Sequence, residues 1–231
     1  MLKENLDNVY ANIKTACDKV GRDANEVTLI CVSKTKPLSD IEELAFYGEM
    51  EFGENKVQEM VDKYDNISKP VNWHLIGHLQ TNKVKYIADK VKLIHSVDSI
   101  HLAKEINKQA QKADRIIDIL IQVNIAHEDT KFGIDESSIY DIINEIKDFS
   151  NIKVKGLMTI APFVENPEEN RIYFKKLHEL LLDIKSKNID NIDMSILSMG
   201  MTNDYMIAIE EGATMVRVGT GIFGERNYNI N

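Results

Sequence analysis

Leu29-Ile30-Cys31-Val32-Ser33-Lys34 is the stretch from which the rest of the chain is read. Val27–Val32 is short, apolar and rich in β-branched residues, the pattern of a strand buried on both faces. The strand stops where Ser33 and Lys34 begin a loop. Upstream, Leu2, Leu6, Val9, Ile13, Ala16 and Val20 recur at three- and four-residue steps, predicting an amphipathic helix that Gly21 ends. Downstream, Ser39 and Glu42 form a capping-box pattern for a second helix, closed by Gly48.

The same alternation repeats to the end. Strands are predicted at Met50–Phe52, Trp73–Ile76, Lys92–His95, Ile116–Asn124, Lys153–Met158, Ile192–Leu197 and Thr214–Val218. Helices are predicted over Asn55–Tyr64, from Thr81 to Ala88, from Asp98 to Gln111, from Asp135 to Phe149, from Asn166 to Ile184 and from Thr202 to Gly212. Asn166 has Pro167 at the first helical position and Glu169 three residues beyond the cap. No Pro/Gly/Ser-rich linker divides residues 1–231, so one domain is expected. Eight βα units with buried strands argue for an α/β protein, a single (β/α)₈ barrel. An open doubly wound sheet is the alternative, but no G-x-G-x-x-G follows the first strand.

Composition narrows the function. The 37 acidic and 28 basic residues leave a net charge of -9, which repels nucleic acid unless bases cluster. Basic clusters are modest; Lys83 with Lys85 and Lys175 with Lys176, for example, lie on helix-like stretches and read as solvated faces. Cys17 and Cys31 lack metal-ligand spacing and fit a reducing compartment. The N-terminus is charged and amphipathic, and no run approaches the ~18 apolar residues of a membrane span. A cytoplasmic protein without membrane or nucleic-acid partners is expected.

In a barrel the site lies at the C-terminal ends of the strands. Those ends bring together Lys34, Gly53-Glu54-Asn55, Gly77-His78, Ser96, Asn124, Met158-Thr159, Ser198-Met199-Gly200 and Arg217-Val218-Gly219-Thr220. A lysine past a strand end is ordinarily a solvated cation. Held at the mouth of a core, its amine can lose a proton and attack a carbonyl. The glycine-containing segments after strands seven and eight read either as tight turns or as a phosphate site built from backbone N–H groups. Period two sets Arg217 opposite Val216 and Val218. If those valines face the helices, Arg217 enters the barrel, where it either pairs with a carboxylate or donates to a ligand. His74 and His78 read as core or loop histidines or as acid/base groups. The late methionines read as core filling.

These motifs, taken as a set, resemble the pyridoxal phosphate homeostasis proteins, the YggS/PROSC family. The resemblance rests on Val32-Ser33-Lys34-Thr35-Lys36, Phe52-Gly53-Glu54-Asn55 and the run Trp73-His74-Leu75-Ile76-Gly77-His78-Leu79-Gln80-Thr81-Asn82-Lys83. It also rests on Gly156-Leu157-Met158, Leu197-Ser198-Met199-Gly200-Met201 and Val216-Arg217-Val218-Gly219-Thr220. It implies a barrel of the alanine racemase N-terminal type, with pyridoxal 5′-phosphate (PLP) held on Lys34 as an internal aldimine. It further implies that Ser198, Met199, Gly200, Gly219 and Thr220 hold the phosphate, that Arg217 faces the pyridine nitrogen and that Asn55 lines the pocket. A guanidinium donor would leave that nitrogen unprotonated and the ring a weaker electron sink. Two departures are Thr202, where the family usually has serine, and Phe132 in the loop 127–133, which has no assigned role.

The implied function is non-enzymatic storage, buffering or delivery of PLP, with PLP-dependent apo-enzymes as recipients and the chain acting as a monomer. The alternatives are a racemase-like PLP enzyme and a Schiff-base aldolase. Racemases of this type carry a β-rich domain that supplies a partner's tyrosine. Only five residues follow Phe223-Gly224-Glu225-Arg226, so that domain is expected to be absent. No catalytic residue and no metal ligand is expected.

Overall fold

Eight parallel strands close into a barrel in sequential order in the computed structural model, which describes residues 1–128 and 132–225. The fold begins with α1 (Leu2–Lys19), whose Leu6, Val9, Ile13 and Ala16 are buried. β1 (Thr28–Val32), α2 (Leu38–Phe46), β2 (Glu51–Glu54), α3 (Val57–Asn66) and β3 (Asn72–Leu75) follow. Next come β4 (Leu93–Val97), α4 (Ile100–Lys112), β5 (Ile117–Gln122), α5 (Ile139–Ile146), β6 (Ile152–Met158) and α6 (Arg171–Ser186). β7 (Ile192–Met201), α7 (Tyr205–Glu210), β8 (Met215–Val218) and the single turn α8 (Thr220–Phe223) complete it. β8 pairs with β1, so the doubly wound alternative is excluded.

Two apolar layers hold the barrel. Residues such as Cys31, Phe52, Trp73, Ile94, Ile119, Leu157, Val216 and Val218 lie between the sheet and the helices. A smaller cluster of Ile30, Leu93, Leu120, Met158 and Met215 fills the interior. Adjacent strand positions alternate between the layers because side chains alternate across a strand. Both faces are therefore buried, which is why the strands read as continuous apolar runs.

The observed caps differ from those read locally. Ser39 lies inside α2, which starts at Pro37 without a side-chain cap, and Glu42 instead accepts from Ser68. The segment after β3 is a 3₁₀ turn, Thr81–Tyr86, with no cap bond from Thr81. Its run of Thr, Asn, Val and Tyr has weak helix propensity. Ser99, not Asp98, caps α4 by accepting from the Leu102 N–H. Asp135 precedes a 3₁₀ turn, with α5 beginning only at Ile139 and ending at Ile146. Asn166 accepts from the Glu168 N–H as expected, although a 3₁₀ turn intervenes before α6. Thr202 caps nothing: α7 starts after Asp204. Several short polar side chains compete near a helix start, and tertiary partners select among them.

Candidate functional site

Lys34 lies in the turn after β1, half-buried at the C-terminal mouth. Two carboxylates and a lysine brace this turn. Buried Glu54 accepts from the Ser33 hydroxyl at 2.6 Å and from Lys63 Nζ at 2.7 Å. Lys63 also donates to the Ser33 carbonyl and to Glu59. Glu59 in turn accepts from the Thr35 N–H at 2.5 Å. The brace matters because Thr35 has φ +63°, an uncommon region for a β-branched residue that costs on the order of 1–3 kcal/mol. Burial raises the Glu54 carboxyl despite its partners, and among the described residues its Oε2 has no hydrogen-bond partner. Lys36, two residues on, ties the mouth to the chain's far end through the carbonyls of Phe223, Gly224 and Glu225.

The β7 and β8 ends face this turn across the closure. Cys31 pairs with Val218, so Gly219 lies beside Val32. The Thr220 and Gly221 N–H groups open α8 and have no intrahelical acceptor. The Thr202 hydroxyl accepts from the Gly219 N–H at 3.2 Å, which joins the two loops. Gly200 has φ +88°, and a Cβ there would lie 2.6 Å from the Ala208 Cβ. Only glycine lets β7 turn this closely over α7. Met199 is fully buried in the layer facing the helices.

Arg217 is 4% exposed. Val216 and Val218 face the helices and Met215 the interior, so Arg217 points into the barrel. Its Nη1 donates to Ser198 Oγ at 2.7 Å and its Nη2 to the Thr159 carbonyl at 2.9 Å. Neither partner is a carboxylate, so the internal ion pair allowed by the sequence is replaced by neutral acceptors. Burial lowers the guanidinium to about 10, which leaves it charged at neutral pH.

Below Arg217 runs a set of polar contacts that local reading missed. Ser198 Oγ lies 3.0 Å from His95 Nδ1, His95 Nε2 lies 2.9 Å from His74 Nδ1, and His74 Nε2 lies 2.6 Å from Glu51 Oε2. Lys92 and Asn72 donate to the other Glu51 oxygen. Two register shifts position this set: one falls between Ile94 and Val97, around His95, the other between Ser198 and Met201. Bulges of this kind re-aim side chains next to functional sites. A usable sequence signal existed. His95 shares the parity of Leu93, which faces inward, so it had to meet an inward polar partner.

Asn55 follows β2 at the mouth and is half-buried; the Gly77 backbone packs against it. His78 is exposed at the rim, with Nδ1 3.2 Å from Asp98 and its ring stacked on Phe132 at 3.8 Å. Phe132 thus packs on His78; residues 129–131 of its loop, and Arg226, lie outside the described residues.

The electrostatics give a pH prediction. Burial pushes His74 down, against the pull of Glu51, and His95 well below its ordinary value, so folding favours the neutral form of both rings. The unfolded chain takes up these protons as pH falls through about 6.5. Their contribution to stability is therefore full above that pH and is lost below it. Burial raises Glu49 and Glu54, and these act in the opposite sense at lower pH. The clean readout is a difference. Urea unfolding from pH 7.5 to 5 should show His95→Gln losing less stability than wild type, by up to about 1.4 kcal/mol per pH unit, the slope of one proton. Equal slopes would place a charged His95 in the folded state.

The closed barrel with a lysine after β1, a glycine at the end of β7 and glycines following β8 defines the class: a barrel of the alanine racemase N-terminal type. The family described as "Alanine racemase, N-terminal domain" matches residues 5–227, and the chain belongs to it. It is similar to the pyridoxal phosphate homeostasis protein of Aquifex aeolicus, at 46% identity over 97% of this chain and 98% of that one. The protein of the same name from Escherichia coli is 34% identical over 99% of this chain and 98% of that one. Among solved structures, PipY of Synechococcus elongatus with PLP bound superposes with a TM-score of 0.85, at 29% identity, covering 97% of this chain and 100% of PipY. An alanine racemase from Clostridium difficile shares the fold at a TM-score of 0.75 and 15% identity; the match covers 99% of this chain and 57% of the racemase. Among the described residues no helix is long and apolar enough to cross a membrane.

Proposed function

We propose that this chain binds PLP at the C-terminal mouth of its barrel and serves PLP homeostasis, storing, buffering or delivering the cofactor to apo-enzymes in the cytoplasm. The observation that carries the reading is the convergence on one mouth of a lysine in a braced turn, a buried guanidinium, and the glycines at the end of β7 and after β8. The names of full-length relatives and the PLP bound in PipY support it. Residues 1–231 act as one PLP-binding barrel domain, and as a monomer.

The residues present fit the cofactor's three handles. Lys34 supplies the amine that attaches its carbonyl carbon. Gly219 and Thr220, at the opening of α8, with Ser198, Met199 and Gly200 from the β7 end, hold the phosphate, chiefly through backbone N–H groups. Glycines there let the backbone approach the anion. Arg217 donates to the ring nitrogen, and Asn55 lines the pocket beside Lys34. Bound PLP supplies an electrophilic carbonyl carbon conjugated to an electron-withdrawing ring. A guanidinium keeps its own proton far more readily than a carboxylic acid, so the ring nitrogen stays unprotonated. The chain's residues therefore hold the cofactor without strengthening its carbanion chemistry, which favours a carrier over a racemase-like enzyme.

Borohydride reduction of PLP-loaded protein, followed by digestion and mass spectrometry, should place one pyridoxyl adduct on Lys34 and none in Lys34→Ala. An adduct on another lysine, or none at saturating PLP, would sink the assignment. The same loaded protein, incubated with each L-amino acid and followed by chiral chromatography, should show no multiple turnover. Turnover lost in Lys34→Ala would establish the racemase reading instead.

A further inference from the structure

The polar contacts inside the barrel form a continuous path from one face to the other. Glu51 opens β2 at the N-terminal face, where Lys92 Nζ reaches its Oε1 at 2.6 Å. Arg217 stands near the C-terminal mouth. His74, His95 and Ser198 lie between, each at most 1% exposed and each within 3.0 Å of its neighbours.

With both imidazoles neutral, proton bookkeeping allows only one arrangement. An ionised Glu51 can only accept, so His74 Nε2 must carry a proton. A neutral His74 then has a bare Nδ1, which requires a proton on His95 Nε2. A neutral His95 likewise has a bare Nδ1, and the Ser198 hydroxyl must donate to it. The hydroxyl's lone pairs then face Arg217, which has only donors to offer. The path thus reads Arg217 to Ser198 to His95 to His74 to Glu51, every donor pointing the same way. It begins on a cation and ends on an anion, the order in which each bond polarises the next favourably. Hydrogen bonds from His74, Lys92 and Asn72 overcome the cost of burial and hold the Glu51 carboxyl down at about 2, so the anion end stays ionised.

We propose that Glu51, His74, His95 and Ser198 are positioning residues, a one-way hydrogen-bond chain that anchors Arg217 for the ring nitrogen of the cofactor. The cofactor end of this inference rests on the PLP reading; the chain itself does not. Among the described residues no carboxylate hydrogen-bonds to Arg217 to fix its plane, although the Asp204 charge is felt there, and the chain supplies that restraint from the opposite face of the barrel. Ser198 is then the hinge between the two systems, with its side chain on Arg217 and its backbone in the β7 end.

Two measurements test it. The first uses cofactor-free protein. Imidazole ¹⁵N spectra at pH 7 should show His74 and His95 neutral, both protonated on Nε2, and Glu51→Gln should move the His95 signals although the two residues do not touch. A proton on Nδ1 of either ring, an imidazolium, or His95 signals indifferent to Glu51→Gln would overturn the chain. The second follows release of PLP from loaded protein to a trapping apo-enzyme. His95→Phe should speed release by about 10-fold or more, the order expected for weakening a hydrogen bond to a charged group, and shift the bound cofactor's absorption band. His95→Gln, whose amide can accept from Ser198 and donate to His74, should restore both toward wild type. Release and spectrum unchanged in His95→Phe would refute the anchoring role. Failure to trap PLP on Lys34 would refute only the cofactor reading, because the tautomers are read without PLP.

Discussion

Replacing Arg217 by methionine should leave the cofactor-free barrel as stable as wild type, or more so, while PLP affinity falls about 10- to 100-fold. The two effects separate because Arg217 is buried without a carboxylate partner; its hydrogen bonds go to Ser198 and the Thr159 carbonyl. Desolvation already disfavours the charge, as its lowered value of about 10 shows. Methionine keeps most of the volume and removes that desolvation burden, which offsets the hydrogen bonds lost at Ser198 and the Thr159 carbonyl. What the ring nitrogen would lose is a charge-assisted donor, which accounts for the expected drop in affinity. Thermal melts of the cofactor-free forms and PLP titration by absorbance give the two numbers. A loss of about 3–5 kcal/mol with unchanged PLP affinity is the signature of a broken buried ion pair, and would make Arg217 purely structural.

Gly156→Ala is expected to cost about 3–5 kcal/mol, enough to unfold much of the population. A Cβ at Gly156 would lie 1.7 Å from the Ile196 carbonyl oxygen and 2.7 Å from its carbon, and neither can move aside as a flexible side chain would. The backbone φ of +157° adds strain for any residue with a Cβ. Overpacking alone costs about 1–3 kcal/mol, and a disfavoured backbone conformation a similar amount. The site is where β6 shifts register against both β5 and β7, pairing Gly156 with Leu120 and Ile196. Urea unfolding of cofactor-free protein measures the cost. A loss below about 1 kcal/mol would mean that β7 can retreat there. The glycine of the Gly156-Leu157-Met158 motif is thus explained by close strand approach; no ligand contact is needed to account for it.

Much of this molecule follows from its sequence alone, because the relevant forces act over a few residues. The apolar runs from Val27–Val32 to Thr214–Val218 mark strands because a strand buried on both faces must be apolar at every position. Lys34, Asn55, Gly200, Arg217 and Gly219 were found by counting strand ends, since a barrel places all such ends at one mouth. The tertiary structure alone decided the rest. Ser39, Thr81, Asp98 and Thr202 each looked like a helix cap, yet none caps its helix: Ser99 takes the place of Asp98, which faces His78, and Thr202 accepts from Gly219. Ion pair or neutral acceptors for Arg217 could not be read locally, because Ser198 and Thr159 reach it only when β6, β7 and β8 lie side by side. The path from Glu51 through His74, His95 and Ser198 was equally hidden. Its members come from four strands, 21 residues apart at one contact and 103 at the next, and two register shifts aim them at each other. Periodicity tells which way a side chain points across its own strand; only closure of the barrel determines what it meets there.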